Sequence, residues 1–296
     1  MTSKISPTFQ RILHWGGSGL ALSGIIFVAI KLYSYWSKIN ISVVTPLSWC
    51  LICLLIVIYG TASHLLGLSW WYIIKYFDVP IKRLNAIRIY GLSQLAKYVP
   101  GNIFHLASRQ IRGMAEGIPA GILTKSMIWE HGLQFITGSL FVCVISSYAF
   151  PSFTPFFGVI LLISVSIAII GFLWKFAGKH LAWAFFWQMI FLFISSSVFS
   201  LVLRIISGES NITIQQWIFI GGSYIIAWLI GMVTPGAPAG VGIREMILLF
   251  FLKGIVVEAD LLMAVFLGRM VTVMGDLLFF VSAFLMPRPS SISLNK

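Results

Sequence analysis

Charge is what this chain has least of. Asp, Glu, Lys and Arg make up only 9% of its 296 residues, where a water-soluble domain carries roughly 25%. That scarcity excludes an ordinary soluble globule. Cysteine is also scarce, with three in all. Cys50 and Cys53 form a CxxC, but inside the apolar run LSWCLICLLIVIYG, and Cys143 stands alone in another such run. A redox or zinc centre needs partner ligands and a polar loop. Neither is visible, so all three cysteines read as packing residues. No nucleophile elbow, P-loop, dinucleotide fingerprint or metal-ligand cluster occurs. No catalytic residue, cofactor or metal is therefore expected. Acidic residues number 8 against 20 Lys and Arg, a net charge of +12. No basic run or nucleic-acid-binding fold accompanies that excess, so nucleic acid is not expected as a partner. In a membrane protein, surplus Lys and Arg mark cytoplasmic loops.

What the chain has in abundance is lipid-soluble sequence: 59% is hydrophobic, and the mean hydropathy is +0.97. A membrane span needs about 20 largely apolar residues. Six stretches qualify: Trp15–Tyr33, Leu47–Tyr72, Ile122–Ser146, Phe157–Leu173, Ala182–Ile206 and Leu261–Met286. Lys4 and Arg11 before the first mimic a signal peptide. No small-residue cleavage site follows, so it reads as an uncleaved span. Trp36, Trp49, Trp70, Trp71 and Trp217 fall near span ends, as interfacial anchors do.

Two apolar stretches are broken. PGNIFHLASR runs from Pro100 to Arg109 and PGAPAGVGIR from Pro235 to Arg244; each places an Arg nine residues after its Pro, and the copies lie 135 residues apart. Around them, Leu84–Arg112 and Trp217–Leu252 read as re-entrant helical hairpins. The expected fold is an all-α polytopic membrane protein of six spans plus two hairpins, a single transmembrane domain over residues 1–296. Eight spans with broken helices is the alternative. The 135-residue offset carries Leu47–Tyr72 onto the Ala182–Ile206 span and Ile122–Ser146 onto the last. Charge bias gives those partners opposite directions, with both termini cytoplasmic. The halves, about 1–146 and 150–286, thus form an inverted repeat, whose paired helix breaks point to a transporter-like site.

Pro and Gly stop a helix, and the restarted helix presents free N–H groups and a positive dipole end, which suit an anion. Asn102 is placed to cap the first restart, and His105 and Arg109, four apart, share a face. In the second copy Gly236, Gly240 and Gly242 permit close approach, and Arg244 supplies a two-pronged donor suited to phosphate. The candidate binding set is Lys97, Pro100, Gly101, Asn102, His105, Arg109, Glu130, Pro235, Gly236, Gly240, Gly242, Arg244, Glu245 and Arg269. Intramembrane ionisable groups are functional by default. Glu130 pairs with an arginine or carries a proton. Arg269 and Asp276 lie two turns apart on one face, with Asp276 pairing to another helix. Glu245 is expected beside Arg244 or Lys253, and His64 in a buried polar contact. The alternative is that the Pro-Gly pairs are tight turns and the arginines reach to the interfaces.

Over SQLAKYVPGNIFHLASR (Ser93–Arg109) and TPGAPAGVGIRE (Thr234–Glu245) the chain resembles the lysylphosphatidylglycerol synthase transmembrane-region family, a flippase-like domain. Where that family often has paired glycines, Ala239 precedes Gly240 here. The resemblance implies movement of lipid between leaflets. It carries over Pro100, Gly101, Arg109, Pro235, Gly236, Gly240, Gly242, Arg244 and Glu245. It does not imply lysyl transfer, because the chain ends ten residues after Met286 and no aminoacyltransferase domain is expected. The expected partner is a membrane lipid with an anionic or zwitterionic headgroup, or a polyprenyl-phosphate-linked lipid, in the bacterial inner membrane. Homo-oligomers and cell-envelope biosynthesis enzymes are compatible partners. A membrane-embedded transferase using Glu130 or Asp276 as base, or a non-transporting interaction subunit, are the competing readings.

Overall fold

The computed structural model describes residues 45–98, 104–149, 154–208, 213–234 and 242–287. Of these residues 88% are helical, and none lies in a strand. Ten α-helices follow one another: α1 (Pro46–Tyr76), α2 (Arg83–Gln94), α3 (Phe104–Ala115), α4 (Ala120–Ser139), α5 (Val142–Ala149), α6 (Pro155–Phe172), α7 (Lys179–Ser207), α8 (Ile214–Val233), α9 (Ile243–Leu252) and α10 (Glu258–Leu285). The expected span Trp15–Tyr33 and the anchor Trp36 lie outside the described residues.

Six helical stretches are long and apolar enough to cross a membrane: Pro46–Tyr76, Ala120–Ser146, Phe156–Ala177, Lys179–Ser207, Ile214–Val233 and Glu258–Leu285. The chain is a multi-pass membrane protein. Five of the six coincide with spans read from the sequence. The sixth, Ile214–Val233, is the first arm of the expected second hairpin. At 20 residues that arm has the length of a full span, whereas α9 after the break has only 10.

Helix starts follow local chemistry. Thr45 caps α1 by accepting from Ser48 N at 3.2 Å, with Pro46 in the first turn. Thr154 caps α6 in the same way, accepting from Phe157 N. At α8, Thr213 and Gln216 form a reciprocal capping box. Each such cap satisfies N–H groups that would otherwise be orphaned. Gly242 opens α9 at φ 85°, a conformation that excludes most side chains.

α1 and α7 make the most extensive helix pair of the bundle, and they run antiparallel. Tyr72 meets His180 and Trp183, Ser69 Oγ donates to Ala184 O at 3.0 Å, and Tyr59 packs edge-on to Phe191. α10 lies on the other flank of α1. A Cβ on Gly60 would sit 2.9 Å from Gly275 O, and one on Gly275 would sit 2.7 Å from the Tyr59 ring. The two backbones therefore touch, in the small-residue packing by which helices associate in lipid. Outside the bundle, apolar side chains such as Ile160, Ile167, Phe250 and Leu285 are exposed, the surface a lipid environment requires. Cys50 and Cys53 also lie on the exposed face of α1, so they are not the packing residues expected. Their CxxC faces outward because α1 buries the opposite stripe of Ile52, Leu55, Tyr59 and Ala62.

Candidate functional site

The chain leaves α2 through a 3-10 turn, Leu95–Tyr98, and re-enters helix at Phe104. α3 then turns its polar side inward. His105 and Arg109 face the bundle, while Phe104, Ile111 and Met114 are exposed. Polar-in and apolar-out is the arrangement expected where the surroundings are lipid and the interior is a polar cavity. Gly113 lets α3 sit tightly on α4, since a Cβ there would meet Leu123 at 2.6 Å.

The inward faces enclose a cavity of about 300 Å3. Lys97, His105, Arg109 and Glu130 line it from one side, and Trp228, Thr234 and Arg244 from the other; Tyr59, Tyr90, Gln94, Gln134 and Phe191 complete much of the wall. Residues flanking both breaks therefore converge on one space. Pro100, Gly101, Asn102, Pro235, Gly236 and Gly240 themselves lie outside the described residues.

Three acid–base pairs are built into this region. Arg109 is fully buried and donates to Glu130, whose side chain is equally buried. Tyr90 OH donates to the other Glu130 oxygen at 2.8 Å, and the Arg109 guanidinium lies 3.9 Å from the centre of the Tyr90 ring. Trp70 lies beside both, 5.5 Å from the guanidinium and 6.4 Å from the Tyr90 ring, with its indole N–H donating to Ser126. Asp276, 0% exposed, accepts from Lys97 Nζ at 2.7 Å, Gln94 Nε2 at 3.3 Å and Tyr98 OH. Glu245 accepts from Arg269 Nε at 2.6 Å. That contact joins the first turn of α9 to α10 and differs from the expected pairing of Glu245 with Arg244 or Lys253. Glu245 and Arg269 do not line the main cavity. With Arg244, Gly268 and Thr272 they border a smaller hollow beside it.

Arg244 is different. Among the described residues it has no ion-pair partner, and its buried Nε makes no hydrogen bond. Its guanidinium lies 6.0 Å from the centre of the Trp228 ring. It sits in the first turn of α9, where the helix dipole disfavours a cation. A negative group shared by the guanidinium and that helix end would relieve both. His105 Nδ1 is likewise buried without a partner. The cavity thus offers donors from both flanks, and the only carboxylate lining it among the described residues, Glu130, is committed to Arg109 and Tyr90. Among the described residues no group of His, Cys, Asp and Glu is placed to hold a metal ion.

Several residues of the site were missed or misassigned from sequence. Trp70 is fully buried beside Arg109, at 0% exposure, not an interfacial anchor. α1 extends to Tyr76, so Trp70 lies a turn and a half inside the helix. Tyr90, Gln134 and Trp228 gave no motif signal; only their place in broken or polar-interrupted helices pointed to them, and Gln94, though inside the Ser93–Arg109 stretch, was not singled out. His64 does make a polar contact, with Ser282 Oγ at 2.9 Å. No protein-family model matches the chain, and no curated protein is significantly similar to it.

Proposed function

We propose that this protein is a flippase-like lipid transporter, whose cavity binds a lipid headgroup between the two helix breaks. The observation that carries this reading is Arg244: an uncompensated cation at a helix start, in a cavity it shares with Arg109 and His105 of the other half. Arg244 is half-buried, with its Nε withdrawn and unpartnered, and a partly desolvated cation without a counter-charge favours an anionic ligand. Arg109, held by Glu130, shapes the wall; Arg244 meets the ligand.

An inverted-repeat architecture fits this role. Pairing α1 with α7, α2 with α8, α3 with α9 and α4 with α10 follows the 135-residue offset. Under that pairing the packing of α1 on α2, α2 on α3, α3 on α4 and α1 on α4 maps onto the packing of α7 on α8, α8 on α9, α9 on α10 and α7 on α10. Contacts between the halves map as well: α1 on α10 becomes α7 on α4, and α2 on α10 becomes α8 on α4. The self-paired contact, α1 with α7, is antiparallel. Two halves that exchange under a two-fold axis in the membrane plane have these properties, and such axes pass through transporter binding sites. Re-entrant insertion of α2–α3 and α8–α9, a bacterial inner-membrane location and cytoplasmic termini complete the proposal, together with the resemblance at Ser93–Arg109 and Thr234–Glu245.

The test is transport by purified protein in proteoliposomes, read by quenching a fluorescent lipid from the outer leaflet. Wild type is expected to move the lipid, and Arg244→Ala to lose most of that rate while eluting as a folded protein. Equal rates in wild type, Arg244→Ala and protein-free vesicles would contradict the proposal.

A further inference from the structure

Resting on that transport reading, we propose a substrate class: a lipid whose headgroup carries one negative charge, on a phosphodiester, and a hydroxylated or sugar moiety. Among the described residues, Lys97, Arg109, Arg244 and Arg269 are the Lys and Arg side chains in and directly behind the cavity wall, and Glu130, Glu245 and Asp276 are the carboxylates. Each carboxylate is paired with a separate cation, which leaves a single positive charge, on Arg244. The segments 99–103 and 235–241, which flank the cavity in sequence, contain no ionisable residue, so they do not alter the count.

One surplus charge matches one phosphodiester. A zwitterionic headgroup would bring an ammonium that needs a carboxylate, and every carboxylate here is taken. A diphosphate or an ionised phosphomonoester brings more negative charge than the cavity neutralises. A neutral glycolipid would leave Arg244 unpartnered.

Beside Arg244 stands Trp228, an aromatic face adjacent to the phosphate position. The Gln134 amide also lines the cavity, and His105 Nδ1 is unpartnered. An aromatic face for C–H groups and amide or imidazole groups for hydroxyls is the chemistry that holds a sugar or glycerol. The volume of about 300 Å3 stands at the small end of ligand pockets and suits one such unit with its phosphate. Both phosphatidylglycerol and a polyprenyl-phosphoryl hexose present this shared chemistry.

Fluorescent forms of five lipids in otherwise identical proteoliposomes separate the possibilities: phosphatidylglycerol, a short-chain polyprenyl-phosphoryl hexose, phosphatidylethanolamine, phosphatidic acid and a neutral glycosyl diacylglycerol. At least one of the two monoanionic phosphodiesters is expected to move tenfold or more faster than the other three, a ratio that one charge-assisted contact supplies. The faster of those two identifies the chain type. Arg244→Gln is expected to erase the preference, bringing all rates within about twofold, while Arg112→Ala, on the exposed side of α3, keeps it. If phosphatidylethanolamine, phosphatidic acid or the neutral lipid moves as fast as the phosphodiesters, the substrate class is overturned while transport stands. If none of the five moves, the transport reading fails and this inference with it.

Discussion

Replacing Arg109 by Met should be among the most damaging single changes in this protein. Both side chains of the Arg109–Glu130 pair are withdrawn from solvent, at 1% and 3% exposure. Methionine is near arginine in length and fills much of the same space, so the cavity left behind is small. What changes is electrostatic. Glu130 keeps its hydrogen bond from Tyr90 but loses its counter-charge inside the bundle. Breaking a buried pair from one side costs about 3–5 kcal/mol. Glu130→Gln should cost a similar amount, because it strands Arg109 against the Tyr90 and Trp70 rings without a counter-charge. Together the two changes remove both charges, and a neutral replacement of a buried pair is often close to neutral overall. The double variant should therefore recover more than half of the loss of either single. A denaturant titration of the four proteins in mixed micelles gives the coupling energy directly. Additive losses in the double variant, or a loss below about 1 kcal/mol in either single, would refute a buried, mutually dependent pair.

Three further outcomes follow from the packing. Gly275→Leu should destabilise the protein by several kcal/mol or prevent its accumulation, because a side chain there collides with the Tyr59 ring and the α1 backbone. Thermal unfolding of Gly275→Ala, expected to be milder, gives a graded readout. Gly242→Ala places a side chain at φ 85° and should cost about 1 kcal/mol or more. A lower unfolding midpoint is expected together with a lower transport rate, since the strain sits where Arg244 is aimed. For topology, a fluorescent reporter fused after Lys296 should fold and a periplasm-dependent phosphatase reporter there should not; the opposite result would reverse the proposed orientation.

Hydropathy made most of the long helices readable, because a lipid-facing surface demands apolar residues along the whole length of a span. It could not tell depth within the bundle. Trp70 and Trp49 look alike in sequence, yet one is sealed against Arg109 while the other is 49% exposed. The ionisable residues of the site were legible one at a time, as rare charges in apolar sequence. Their partners were not, because pairing is set by how helices cross: Asp276 finds Lys97 and Glu245 finds Arg269 across gaps of 179 and 24 residues. Arg109 and Arg244 look equivalent as motif positions. Only the packing separates them, since a glutamate one helix away neutralises the first and nothing described neutralises the second.

The most direct measurement of the central claim is a density map of the protein in lipid nanodiscs containing phosphatidylglycerol. The account predicts headgroup density inside the cavity, with its phosphate against Arg244 and within reach of His105. A cavity closed by residues 99–103 and 235–241, with the Arg244 guanidinium bonded to protein groups instead, would contradict it.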